Sequence, residues 1–158
     1  LGQFNLNTGL SSGHAIVVEF DKKAKQLTIF NSGYGLNEHQ LGLINGKPVY
    51  ATAMTIKLRD GIQDQDITAL NNILKQNPDT DCVSQFYTWA KGLGERVECT
   101  RRTEFQSPQT AKNCVTMCWD AFLKNKMATI DYLKYKQRQM KGIQEEVSDK
   151  LKEMKVKM

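Results

Sequence analysis

The chain has 158 residues, of which 40% are hydrophobic, and it carries a formal net charge of +5. This length and apolar content are enough for one compact domain with a real core, and two separate globular domains are not expected. No stretch approaches the roughly 18 apolar residues of a membrane-spanning helix, and no charged-then-apolar leader opens the chain, so we expect neither a membrane span nor export of this fragment by the common secretory route.

The positive charge is concentrated at the C-terminus. Residues 136–158 hold seven Lys and Arg against four Asp and Glu, and so supply three of the five net charges. A helical tail of this composition is typical of a solvated charged face. Because no basic patch is interleaved with aromatic residues, we expect no nucleic-acid partner.

The four cysteines are Cys82, Cys99, Cys114 and Cys118. Their spacing is not that of a small disulfide framework, so we expect reduced thiols and a reducing compartment such as the cytoplasm. With two histidines and no CxxC pair, a structural zinc site and other cofactors are not expected. Cys114, Cys118 and His14 could be assembled into such a site on paper, but none is predicted there.

The first half of the chain reads as strands. The β-branched and apolar runs at 14–20 and 26–31 are separated by a polar loop and predict an antiparallel hairpin. Residues 32–40 are interpreted as a loop. The segment 41–58 then predicts a short strand, an Asn-Gly turn at 45–46 and a longer strand whose residues alternate over 49–58.

The second half is mostly helical. A first helix is predicted from helical spacing of apolar residues that ends at 77–78, where Asn-Pro follows. A second helix is predicted at about 81–92. Residues 96–102 are predicted to form a strand. A further helix starts at Cys114, and 128–157 carries the apolar spacing of a long helix.

This order of elements gives an α+β fold, with a small antiparallel sheet packed against helices. We expect a domain over 1–126 and a helical C-terminal extension over 127–158. The chain begins without an initiator methionine, so the domain is expected to be an N-terminally truncated piece of a longer protein.

Cys114 and Cys118 have different settings on the same predicted helix. Cys118 belongs to an apolar stripe and is expected in the core. Cys114 stands at the helix N-terminus, where unpaired backbone N–H groups and the helix dipole favour a thiolate. Cys114 is therefore the candidate nucleophile. The stripe recurs at helical spacing and consists of Val115, Cys118, Trp119 and Phe122.

General-base activation of a thiol requires an imidazole, which leaves His14 and His39. His14 opens a strand, and Asn31 lies at the end of the neighbouring strand of the same hairpin, so the ladder brings them side by side. Asn31 is expected to orient the imidazole by accepting its second N–H. His39 lies in a Gly-containing loop and is interpreted as a rim residue, with a rival role as base or substrate contact left open.

The loop before the candidate nucleophile contains a side chain that could donate a hydrogen bond to the oxyanion of the reaction. The amide of Gln109, five residues upstream of Cys114, is placed to act beside the Cys114 backbone N–H. Gln106 is an equally plausible donor on distance alone.

The order His14, Asn31, Gln109 and Cys114 resembles that of the clan CE cysteine peptidases. This clan contains the adenovirus protease, the SUMO proteases, and bacterial effectors that act as deubiquitinases or acetyltransferases on host proteins. The resemblance covers about residues 12–125 and rests on order and spacing. The best-known members have Gly after the nucleophile and usually Trp after the His, where this chain has Val and Ala. It is therefore similar to a divergent member of the bacterial-effector kind.

The resemblance implies a thiol-dependent hydrolase that works through an acyl-cysteine intermediate, most simply a protease or isopeptidase. The implied substrate is a protein, with ubiquitin or a ubiquitin-like modifier as partner, and the implied location is the cytoplasm or the host cytosol after secretion as an effector. Acetyl transfer on the same scaffold is one alternative. The other is a non-catalytic interaction module that uses the C-terminal helix, whose apolar positions over 140–154 are spaced 3, 4, 4 and 3 and suit helix pairing.

Overall fold

The computed structural model describes residues 2–7, 13–76, 81–97, 105–106 and 114–156. Its described residues form an α+β fold of antiparallel sheets and helices, as the sequence predicts. The strands are β1 (Gly2–Asn7), β2 (Gly13–Asp21), β3 (Gln26–Phe30), β4 (Gln40–Ile44), β5 (Lys47–Ala51), β6 (Ala53–Leu58), β7 (Gly94–Val97) and β8 (Phe105–Gln106). The helices are α1 (Asp64–Leu74), α2 (Cys82–Gly92), α3 (Cys114–Lys126) and α4 (Thr129–Val156), with a 3₁₀ turn at Leu36–His39.

The main sheet is five-stranded, with the order β1-β2-β3-β6-β7, and every neighbouring pair is antiparallel. The predicted hairpin is its centre: β2 pairs with β3 in a register that places Val17 opposite Phe30. A second sheet has the order β4-β5-β8. The predicted Asn-Gly turn joins β4 to β5, and both Asn45 (φ 51°) and Gly46 (φ 74°) adopt the left-handed backbone that this turn requires.

The central strands of the main sheet are covered by helices on both faces. Residues that alternate along β2 and β3 point one way into α1 and α2, and the others point to α3. Ile16 and Ile29 are both 0% exposed and pack with Phe86 and Ala90 of α2. This buried setting explains the near-continuous apolar run of β2, which a strand with one solvated face would not have. On the opposite face, Val17, Phe30 and Ala53 pack with Cys118, Trp119 and Phe122.

The prediction of one strand over 49–58 was wrong. β5 ends at Ala51, Thr52 follows, and β6 begins at Ala53 in the other sheet. Two further strands, β1 and β8, were not predicted at all. The loop predicted over 32–40 contains the short 3₁₀ turn, and the strand predicted over 96–102 is described as β7 up to Val97, with 98–102 outside the described residues.

The chain divides into two compact units, Leu1–Asn125 and Lys126–Met158. In the second unit α4 runs for 28 residues. Among the α4 side chains that the structure describes, five apolar ones are between 51% and 61% exposed and recur at helical spacing: Ile130, Leu133, Met140, Ile143 and Val147. None of the helices in the described part of the chain is long and apolar enough to cross a membrane.

Candidate active site

His14 and Asn31 are brought together by the β2–β3 hairpin. His14 lies near the start of β2, and Asn31 follows the last residue of β3 directly. The His14 Nε2 and Asn31 Oδ1 atoms are 2.8 Å apart. Both side chains are buried, at 4% and 0% exposed. The hairpin therefore forms an imidazole–amide pair inside the protein, 17 residues apart in sequence.

Backbone groups fix which atom of the Asn31 amide is its oxygen. The Gly33 N–H donates to Oδ1 at 2.9 Å, and an N–H group can only donate. On the other side, Nδ2 donates to the Tyr34 carbonyl oxygen at 2.9 Å and to the Tyr87 hydroxyl at 2.8 Å. Because Oδ1 accepts, His14 must donate to it from Nε2. The neutral imidazole then carries its free lone pair on Nδ1.

Burial determines the charge state of His14. Removal from water lowers its pKa from the usual value, and the hydrogen bond to Asn31 opposes that effect only in part. His14 is consequently neutral at physiological pH, which is the state of an imidazole that can accept a proton.

The interpretation of His39 as a rim residue was wrong. Its side chain is 0% exposed. Nδ1 lies 3.0 Å from the Ala51 carbonyl oxygen and Nε2 lies 2.8 Å from the Tyr87 hydroxyl. Burial lowers the pKa of His39 to about 3. The 3₁₀ turn directs this side chain inward, which a reading of the surrounding glycines as a flexible loop cannot anticipate.

Cys118 is a core residue, as predicted, and it also marks the position of α3 on the sheet. It is 0% exposed. Its thiol donates to the Ala15 carbonyl oxygen at 3.3 Å, and the Ser32 hydroxyl lies 3.6 Å from the same sulfur. Ala15 and Ser32 are the immediate neighbours of His14 and Asn31. The face of α3 that carries Cys118 therefore contacts residues that adjoin His14 and Asn31 in the chain, whereas the Asn31 side chain itself bonds to Tyr87 of α2.

Cys114 is the first residue of α3, as the sequence predicts. It precedes Cys118 by four residues, so the two Cα atoms belong to one helix face and are about one turn apart. The side chain of Cys114 lies outside the described residues. Gln109 is also outside them, and Gln106 is described only as backbone at the end of β8.

A pocket of about 190 Å³ lies on the amide-nitrogen side of Asn31. Its lining includes Tyr34, Gly35 and Tyr87, and His14 is absent from it. Gly35 has a φ of +85°, and a Cβ at this position would stand 2.6 Å from Val83 Cγ1 and 2.9 Å from Tyr87 Cε2. Only glycine fits here, because both the backbone and the neighbouring side chains exclude a larger residue.

Sequence reasoning missed the role of Tyr87. The residue lies within the helix predicted at about 81–92, and it is 1% exposed. A buried tyrosine hydroxyl requires a polar partner, and that requirement was the available signal. Its partners, Asn31 and His39, lie 56 and 48 residues away.

Among the described side chains, no group of three or more His, Cys, Asp or Glu is placed to hold a metal ion. No protein-family description, curated protein or solved structure matches this chain.

Proposed function

We propose that the protein is a thiol-dependent hydrolase in which Cys114 is the nucleophile, His14 the general base and Asn31 the residue that orients His14. The observation that carries the proposal is the buried hydrogen bond of 2.8 Å between His14 Nε2 and Asn31 Oδ1. Since the amide is held by Gly33 and Tyr34, this hydrogen bond leaves Nδ1 as the atom that accepts a proton.

The position of α3 supports Cys114 as the proton donor. Cys118 Sγ lies 3.3 Å from the Ala15 carbonyl oxygen, so this helix face contacts the residue that follows His14 in β2. Cys114 lies one turn nearer the helix N-terminus on the same face, about 6 Å along the axis. Backbone N–H groups and the helix dipole at that end stabilise a thiolate. Cys118 itself is enclosed by Val17, Phe30 and Ala53 and is unsuited to meet a substrate.

The reaction that follows is acyl transfer to sulfur. The Cys114 thiol gives its proton to His14 Nδ1, and the thiolate attacks the carbonyl carbon of the scissile amide. The resulting oxyanion is stabilised by the Cys114 backbone N–H and the Gln109 amide, and the imidazolium returns its proton to the leaving amine as the C–N bond breaks. Water, deprotonated by His14, then hydrolyses the acyl-cysteine and regenerates the thiol.

We infer the substrate class from the resemblance to clan CE peptidases. The proposed substrate is a protein joined to ubiquitin or to a ubiquitin-like modifier, cut at the amide or isopeptide bond. A thiol mechanism suits a reducing compartment, such as the cytoplasm or the cytosol of a host cell. Transfer of an acetyl group through the same acyl-cysteine is the close variant, in which an amine or hydroxyl replaces water as the acceptor.

The test is reaction of the folded protein with a panel of ubiquitin-type and acetyl-donor electrophiles, with the labelled residue located by mass spectrometry. We expect labelling at Cys114. With a substrate so identified, the rate should fall in the order wild type, Asn31→Ala, then His14→Ala and Cys114→Ala together at background. Cys118→Ala is the matched control, and it should retain the chemistry if thermal melts show that it remains folded.

Two results would overturn the proposal. One is full activity in Cys114→Ala. The other is an Sγ position for Cys114 more than about 8 Å from the His14 imidazole in an experimental structure, against the expected distance of about 4 Å.

As a second candidate function, we propose an interaction module in which α4 pairs with α4 of a second copy. The supporting observation is its row of exposed apolar side chains. Residues 134–141 carry four basic and no acidic residues, whereas 143–149 carry three acidic and no basic residues. An antiparallel pair centred near Gly142 places these opposite charges together, whereas a parallel pair in register places like charges together.

Sedimentation velocity of the whole chain over a range of concentrations tests this pairing. We expect a dimer that Ile143→Asp disrupts, whereas Gly142→Asp, which adds the same charge about 100° around the helix, leaves it assembled. A chain that stays monomeric, or equal behaviour of the two variants, rejects the pairing.

A further inference from the structure

The second histidine of the chain is joined to the first by a continuous row of buried hydrogen bonds. It runs from the Ala51 carbonyl to His39, Tyr87, Asn31 and His14, with side-chain distances of 3.0, 2.8, 2.8 and 2.8 Å. His39, Tyr87 and Asn31 are 0%, 1% and 0% exposed. Water therefore does not interrupt the row.

The direction of every hydrogen bond follows from the Ala51 end. A carbonyl oxygen can only accept, so His39 Nδ1 carries the proton that it donates to Ala51. His39 is neutral near physiological pH, because burial lowers its pKa to about 3. Its Nε2 is therefore bare and accepts from the Tyr87 hydroxyl. The Tyr87 oxygen has a lone pair left, and it accepts from Asn31 Nδ2.

The direction deduced from the other end is the same. The Asn31 amide is independently fixed by Gly33 N–H on Oδ1 and by the Tyr34 carbonyl on Nδ2. Its nitrogen must donate toward Tyr87, and its oxygen must accept from His14. Two separate sets of backbone groups, at Ala51 and at Gly33–Tyr34, thus require one and the same arrangement of protons.

We propose that Tyr87 and His39 are positioning residues, which act through Asn31 to hold His14 as the tautomer with its proton on Nε2 and its base on Nδ1. This inference rests on the proposed function for the identity of the base, and it adds two residues that the thiol mechanism by itself does not require. Neither residue meets the substrate.

The physical effect is polarisation along the row. Donation from Asn31 Nδ2 to Tyr87 increases the negative charge on Oδ1, because the two atoms share one amide π system. A more negative Oδ1 holds the His14 Nε2 proton more strongly and favours the imidazolium that forms when Nδ1 accepts a proton. His39 contributes by accepting from Tyr87, which makes the Tyr87 oxygen a better acceptor in turn.

The first experiment needs no substrate. The chain contains two histidines, so long-range ¹⁵N–¹H correlation spectra of the wild-type protein contain two imidazole patterns. We expect one Nε2–H tautomer that titrates, from His14, and one Nδ1–H tautomer that stays neutral down to about pH 4, from His39. An Nδ1–H tautomer for His14, or an Nε2–H tautomer for His39, overturns the proposal directly.

Substitutions then test the transmission from Tyr87 to His14. Tyr87→Phe removes one hydroxyl and keeps the ring, and it should lower the His14 pKa and shift the His14 ¹⁵N signals. Tyr135→Phe, which removes a tyrosine hydroxyl from α4, is the matched control and should change neither. Unchanged His14 signals in a folded Tyr87→Phe variant overturn the positioning role.

Two substitutions of His39 test whether a side-chain acceptor for the Tyr87 hydroxyl is what matters at this position. His39→Leu removes the acceptor for the Tyr87 hydroxyl, whereas His39→Gln offers a side-chain oxygen in its place. We expect His14 to be perturbed in the Leu variant and to return toward wild type in the Gln variant. If a folded Leu variant leaves His14 unperturbed, or if Leu and Gln perturb it equally, His39 has no positioning role.

Once a substrate is known, Tyr87→Phe should lower kcat about tenfold with little change in KM, and should move the acidic limb of the pH–rate profile with the His14 pKa. The spectra and the kinetics test different parts of the proposal, so the two parts can be rejected separately. Correct tautomers with no activity at Cys114 reject the proposed function and retain the hydrogen-bonded row, whereas wrong tautomers reject the row and leave the nucleophile unaffected.

Discussion

Cys114 and Cys118 lie one helical turn apart, yet they are expected to differ widely in reactivity toward thiol reagents. Cys82 and Cys118 are 1% and 0% exposed, so a reagent reaches them only when the protein opens. If Cys114 is the proposed nucleophile, its thiol at the helix terminus should react with iodoacetamide near neutral pH at least about tenfold faster than either. A time course followed by mass spectrometry measures the rates, and the denatured chain supplies the reference. Equal rates in the folded protein would indicate that Cys114 is an ordinary buried thiol.

Substitution of Cys118 should destabilise the fold more than substitution of Cys114. Cys118→Ala removes a sulfur packed among Val17, Phe30 and Ala53 together with its hydrogen bond to Ala15, and should lower the free energy of unfolding by about 1 kcal/mol or more. Cys114→Ala should cost much less if Cys114 is the proposed nucleophile, because a substrate-accessible thiol leaves a small or water-accessible gap. Urea denaturation of both variants measures the difference, and equal losses would place Cys114 in the core.

At the residue scale, side-chain contacts were predicted correctly only where few candidates existed. His14 and Asn31 could be paired because the chain has two histidines and because a hairpin brings its strand ends together. His39 was misassigned because the neighbouring glycines suggest exposure, whereas the inward direction of its side chain depends on Ala51 and Tyr87. Those contacts are properties of the tertiary fold and leave no local pattern.

At the scale of elements, the loop between β3 and the 3₁₀ turn depends on one glycine. Gly35→Ala would combine a left-handed backbone with close contacts to Val83 and Tyr87, and should lower the free energy of unfolding by about 2–3 kcal/mol. Gly46 is the matched control: its φ is +74°, and a Cβ added there would meet nothing within 4 Å. Gly46→Ala should therefore cost only the backbone strain, about 1 kcal/mol. Chemical denaturation tests both, and equal losses would show that the space around Gly35 is not limiting.

Elements with a strong local period were predicted correctly, namely the hairpin and the helices α1, α2, α3 and α4. β8 was missed because a strand of two residues owes its existence to a partner elsewhere in the sequence, here β5, more than 50 residues earlier. β1 has six residues and pairs with the next strand, β2, so its omission has no such physical reason. The break at Thr52 was missed for a related reason, since alternation continues through a residue where the chain passes from one sheet to the other.

At the scale of the whole molecule, the buried histidines predict the response of unfolding to acid. His39 has a folded pKa of about 3 and an unfolded pKa of about 6.5. Below about pH 6.5 only the unfolded state takes up the proton, so the stability present above that pH is lost progressively as the pH falls toward 3. His39 alone should cost about 2 kcal/mol at about pH 5, and the lowered pKa of His14 acts in the same direction.

Urea denaturation at about pH 8 and about pH 5 measures this loss. The charged groups that face His39 are Arg96 and Lys91, which lower its pKa further, and Lys91 pairs with Glu38. His39→Gln keeps these groups and removes the titration, so it should lose less stability between the two pH values than the wild type. The same pH dependence in both proteins would assign the acid response to other residues.

The sequence separations within the buried row also determine when the site can form during folding. Its hydrogen bonds join residues 17, 48 and 56 apart. The first can form as soon as one hairpin closes, but the other two require α2 to dock on the sheet. Closing such loops is entropically costly and comes late in assembly. Any opening that detaches α2 alone removes Tyr87 from Asn31 and His39 at once, so the imidazole of His14 can lose its alignment while most of the sheet remains intact.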